Sequence, residues 1–146
     1  MSGIIDTPGA RSGVIGSEGG IGYEEGTWTP VAAVGSFSVS SSIYTKIGNL
    51  VYVSIWIDSV SDITSSTALT ISGLPFTSKS ASRSTSMGLV RYLNWGANDN
   101  IVFYIGGSAS TIQLFKNRDD TTYELATHSI LSNTNARLVV DMTYCI

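Results

Sequence analysis

Charge is scarce in this chain: only 13% of its 146 residues are Asp, Glu, Lys or Arg, against roughly 25% in an average soluble domain. Its surface must therefore be covered mainly by Ser, Thr, Asn and Gly. Eight basic residues stand against eleven acidic ones, for a net charge of −3, and no two basic residues are adjacent. Phosphate backbones are held by clustered positive charge, so no nucleic-acid partner is predicted. A single cysteine, Cys145, allows no internal disulfide, and one cysteine with one histidine excludes a structural zinc site. No stretch approaches 18 apolar residues, so no membrane insertion is expected. The start "MSGIIDTPGARSGVIG" lacks the basic segment and apolar run of a secretory signal. Convincing helical spacing with caps is missing as well.

What remains is alternation. In "NLVYVSIWIDS" Val51, Val53, Ile55 and Ile57 fall on one face and Tyr52, Ser54, Trp56 and Asp58 on the other, the mark of a half-buried strand. The same period places Leu69 with Ile71, Ile101 with Phe103 and Ile105, and Ile112 with Leu114. At the end of the chain it sets Leu138, Val140, Met142, Tyr144 and Ile146 on one side. Turn-forming clusters separate these runs: "SVSDITSST", "NWGANDN", "GGSAS", "KNRDD" and "LSNTN". The serine-rich "TSKSASRSTS", residues 77–86, reads as an exposed loop or polar edge between strands. Short strands in series without helices predict an all-β fold, an antiparallel β-sandwich or jelly-roll-like domain over residues 23–146. Cys145, in the last strand, is expected to be a small buried or interface residue.

Residues 1–22 differ in kind. Seven glycines and one proline separate isolated aliphatics, a composition that keeps the backbone free. Ordering this stretch would cost about 1–2 kcal/mol per residue, whereas burying Ile4, Ile5, Val14, Ile15 or Ile21 would return about 1.5–3 kcal/mol each. The segment is therefore expected to be an extended arm that orders only on a partner.

A search for chemistry returns little. His128, four residues after Glu124 in "ELATHSI", has no GxSxG elbow to serve and reads as a surface or half-buried structural histidine. Glu24 with Glu25 and Asp119 with Asp120 are sequence neighbours, which point to opposite sides of an extended chain and form no glycosidase dyad. "WGANDN" and "NRDD" offer oxygen ligands without calcium-loop spacing, and "GSEGGIG" lacks the strand, Lys-Ser or Lys-Thr and helix of a phosphate loop. No cofactor, metal or catalytic residue is predicted. More informative are Tyr52 and Trp56, aromatic residues on the polar face of their strand. Either loops cover that face or it is a subunit interface, where such residues are enriched. Trp95, beside Asn98, Asp99 and Asn100, is either a packed loop anchor or part of a ligand loop, with Arg118 and Asp119 on a second one.

The patches "YEEGTWTP", "YTKIGNLVYVSIWI", "ISGLPF" and "LVVDMTY", which follow one another through residues 23–144, resemble a widespread group of tailed-bacteriophage structural proteins. These are small β-sandwich modules of tail fibres, spikes and other virion surface appendages, usually trimeric. The resemblance assigns Tyr23 to Pro30 to the lead into the sandwich, Tyr44 to Asn49 to the turn before a core strand, and Gly73 to Phe76 to the close of the next. It implies a non-enzymatic virion surface protein assembled in the host cytoplasm. That protein would be a homotrimer decorating or cementing the particle, attached to capsid or tail proteins by an arm carrying Ile4, Ile5, Pro8, Arg11, Val14 and Ile15. The alternative is a tail-fibre or spike tip whose loops recognise host surface glycan. A third reading, a polysaccharide depolymerase using Asp99, Asp119, Asp120 or Glu124, has only scattered carboxylates in its favour.

Overall fold

The computed structural model describes residues 22–94, 100–117 and 122–146. The arm residues Ile4, Ile5, Pro8, Arg11, Val14 and Ile15 lie outside them. So do Trp95, Asn98, Asp99, Arg118 and Asp119 of the two loops.

Eleven strands are present among the described residues: β1 (Tyr23–Thr27), β2 (Val31–Ala32), β3 (Phe37–Ile47), β4 (Leu50–Val60), β5 (Thr70–Ser72), β6 (Ser84–Met87), β7 (Leu89–Val90), β8 (Asn100–Ile105), β9 (Thr111–Asn117), β10 (Glu124–Leu125) and β11 (Leu138–Cys145). A single 3-10 turn, His128–Ile130, is the only helical element among them. The strands pair antiparallel in two sheets. Sheet A has the order β1-β3-β4-β11-β7; sheet B has β2-β5-β9-β8-β6, with β10 also against β9. The chain is an all-β sandwich.

The apolar halves of the alternating strands meet between the sheets. Sheet A contributes Val51, Val53, Ile55 and Ile57 from β4 and Leu138, Val140, Met142 and Tyr144 from β11. Sheet B answers with Ile71, Ile101, Phe103, Ile105, Ile112 and Leu114, all buried. Each such side chain contributes about 1.5–3 kcal/mol by leaving water. Trp28, the tryptophan of "YEEGTWTP", is buried at the margin of this core, where its carbonyl accepts from the Ser42 hydroxyl at 2.6 Å.

Four expectations need correction. Tyr44 to Ile47 continue β3, and the turn itself is confined to Gly48 and Asn49. Strand β3 is so rich in serine, "FSVSSSIYTKI", that its alternation is muted, although ten of its residues pair with β4. The serine-rich 77–86 stretch divides: Ser78 is buried and so not part of an exposed loop, whereas Ser84–Met87 form β6, the polar edge strand of sheet B that is the other of its two readings. There the hydroxyls replace a ladder: Ser84 Oγ donates to the Thr143 carbonyl at 2.5 Å and Ser86 Oγ to that of Asp141 at 2.7 Å, tying sheet B to the last strand of sheet A. Gly88 then lets the chain switch sheets, since a Cβ there would meet Phe103 Cε2 at 2.5 Å and the Val139 carbonyl at 2.6 Å. Cys145 is exposed, because the inward member of its pair is Tyr144. His128 is fully buried, deeper than the surface or half-buried position expected of it.

Candidate functional site

Two outward sheet faces and one buried histidine are the places where chemistry could reside. The histidine serves the fold. Its Nδ1 lies 2.9 Å from the Asp62 carbonyl oxygen, an acceptor only, so Nδ1 carries the proton. Nε2 faces the interior with no partner. The Asp62 carboxylate accepts the amides of Ser65 at 2.9 Å and Thr64 at 3.1 Å, and these hydrogen bonds hold it below the usual carboxylate range. With no side-chain hydrogen bond to the ring among the described residues, His128 holds the loop at Asp62 to the 3-10 turn. No three of His, Cys, Asp and Glu converge on a metal-sized site among the described residues.

The outer face of sheet A is built by the register of its strands. One row across it reads Tyr23, Ile47, Leu50, Cys145; another reads Ser41, Trp56, Val139, Leu89. Between them, Tyr52 stands beside Thr45 and Thr143. Tyr52 is 40% and Trp56 42% exposed, so the described loops do not cover this face. Tyr23, Ile43, Ile47, Leu50 and Leu89 are exposed with them. The carboxylates on this face are hydrogen-bonded within it, Glu25 by the Tyr23 hydroxyl among them. The Trp56 indole donates to Asp58 at 3.0 Å, Arg137 reaches the same carboxylate at 3.2 Å, and its guanidinium lies 5.2 Å from the Trp56 ring centre. The Ser40 hydroxyl, then the indole and Arg137, keep Asp58 below its ordinary pKa. Tyr52 donates to Asp141 at 3.1 Å; desolvation and that carboxylate together raise its phenol. An apolar face whose carboxylates already have hydrogen-bond donors is suited to packing against another protein surface. Among the described residues, edge strand β1 flanks it with no strand on its outer side.

Of the ligand-loop residues read from the sequence, only Asn100 is described. It opens β8, exposed, opposite Asn117 of β9. Glu124, a depolymerase candidate, pairs with Lys116 at 3.5 Å. Sequence reasoning passed over Tyr104, Phe115 and Tyr123, which the structure brings together on the outer face of sheet B. The available signal was their position: in β8 and β9 aromatic residues occupy outward places that alternation normally gives to polar ones.

The sequence matches no family model and no curated protein. Among solved structures, the sandwich is similar to part of the Dettilon tailspike protein (gp208). The TM-score is 0.70 and the identity 18%, over 84% of this chain and 24% of that one. The chain thus spans about a quarter of the tailspike's length. At this identity the likeness establishes a shared fold.

Proposed function

We propose that this chain is a non-enzymatic structural module of a tailed-phage particle. In this reading it is a surface knob that packs against copies of itself through the outer face of sheet A, as a trimer, and is attached by residues 1–22. The observation that carries the reading is the fold likeness to a segment of a phage tailspike. The ordered patches of residues 23–144 point the same way. The exposed apolar face around Tyr52 and Trp56 supplies a surface for self-association, and a closed oligomer would cover the β1 edge. Arms presented together would attach with avidity, so none needs high affinity alone.

The test compares the full chain, a form lacking residues 1–22, and Trp56→Ser. Each is measured for mass by sedimentation equilibrium and for binding to particles lacking this protein. The reading expects trimers for the first two, rebinding by the full chain alone, and a smaller mass for Trp56→Ser. A monomeric full chain, or a shortened form that still rebinds, sinks it.

A further inference from the structure

We infer that the outer face of sheet B holds a binding groove for a neutral saccharide. Thr85, Val102, Tyr104, Phe115, Asn117 and Tyr123 line a groove of about 350 Å³ there, within the size range of small-ligand sites. Its walls are aromatic. Tyr104 and Phe115 meet edge to face with centroids 5.7 Å apart, and Phe115 and Tyr123 do so at 5.3 Å. These contacts fix the rings, so binding a ligand requires little further ordering of them.

Register arranges the face in bands. One row of neighbours runs Thr70, Gln113, Tyr104, Thr85; the next runs Leu125, Phe115, Val102, Met87; beyond it lie Asn117 and Asn100. An apolar, aromatic band is thus bordered on both sides by amides and hydroxyls. A pyranose has the complementary form, with C–H faces that lie on aromatic rings and a rim of hydroxyls that donate and accept in the ring plane. Four strands about 4.8 Å apart make a row of about 14 Å, room for a short oligosaccharide.

The same lining argues against other ligands. None of the six residues is charged, and Lys116 and Glu124, which pair with each other, occupy the alternate positions of their strands. Among the described lining residues an acidic sugar or a phosphate finds no cation. The groove uses nothing of residues 1–22, so it stands or falls apart from the attachment reading.

The test is binding of the full chain to an array of neutral and acidic oligosaccharides, the neutral ones built from glucose, galactose, mannose, rhamnose and N-acetylglucosamine. Saturation-transfer NMR on the retained sugars follows, with tetramethylammonium as the cationic probe. The expected result is retention of a neutral member, weakened about tenfold by Tyr104→Ala and by Tyr123→Ala and unchanged by Tyr23→Ala on the other sheet. Tyr123 is 68% exposed, so its truncation leaves the core intact. Retention of no neutral member, preference for acidic ones, displacement by tetramethylammonium, or indifference to both tyrosine variants overturns the inference.

Discussion

Tyr144 offers a test of how the two sheets are joined. It lies on β11, 2% exposed, and its hydroxyl donates at 2.9 Å to the carbonyl of Phe76 in the segment after β5. Burial pushes its pKa from 10.0 up to about 12. Replacing Tyr144 by Phe keeps the ring and removes the donor, leaving a carbonyl without its partner at a cost of about 1–1.5 kcal/mol near neutral pH.

The pH dependence carries the sharper test. A folded-state pKa above the unfolded one means that the contribution is complete below about pH 10 and is lost as pH rises toward 12, because the unfolded chain gives up its proton first. With these two values the wild type loses about 1.4 kcal/mol by pH 11 through this group. The variant has no such group. Tyr23, Tyr44 and Tyr52 also have raised pKa values, but they are common to both proteins and cancel in the difference. Urea unfolding followed by tryptophan fluorescence, from about pH 7.5 to 11.5, should show a gap that closes near pH 11. A gap that stays constant over the range, or a variant as stable as wild type at pH 7.5, would refute the reasoning.

Gly73 has φ +90 and an ideal Cβ would sit 2.3 Å from the Thr29 carbonyl oxygen, whereas at Gly106 the nearest contact is 3.4 Å, to the flexible Tyr104 ring. Gly73→Ala should therefore lower the melting temperature by more than about 5 °C, and Gly106→Ala by less than about 2 °C; equal effects would contradict the backbone argument. In acid, Asp58 and Asp62, both held by their hydrogen bonds below the ordinary carboxylate value of 3.8, stabilise the fold above that pH and cease to as pH falls through their folded values. The urea midpoint should decline below about pH 4, less steeply in Asp62→Asn, which still accepts the Thr64 and Ser65 amides; identical acid profiles would remove Asp62 from the explanation.

The core was legible because it rests on a period of two. Every inward residue read in β4, β8 and β9 is buried, and in β11 all but the terminal Ile146, which is half-buried. Strands β3 and β6 were not legible because hydroxyl residues occupy both of their faces, Ser38, Ser40, Ser41 and Ser42 in β3 and Ser84 and Ser86 opposite Thr85 in β6, so hydrophobicity carries no phase. Their places are set instead by the β4 ladder and by hydroxyls that reach the carbonyls of β11. Of the two places read for Cys145, buried or at an interface, the buried one fails because strand membership does not fix which face a residue takes; Tyr144 beside it, with one buried hydroxyl and one acceptor in reach, takes the inward place. The groove on sheet B escaped detection because its aromatic residues come from β8, β9 and the segment before β10, and only pairing of those strands gathers them.

The two outward faces differ in what they leave unsatisfied, which is the physical ground for proposing different roles for them. On sheet A the polar groups around the aromatics are spent within the face: Asp58 takes Ser40, Trp56 and Arg137, and Asp141 takes Tyr52. The gain still available there comes from covering aliphatic and aromatic carbon, which is non-directional and suits a protein surface of matching shape. On sheet B the rings are spent on one another, while amides and hydroxyls border them in the neighbouring rows. Directional hydrogen bonds around an apolar strip reward a small ligand with a polar rim. Because the sandwich places these faces back to back, self-association through sheet A would leave the groove of sheet B facing outward, open to a sugar in solution or on a cell surface.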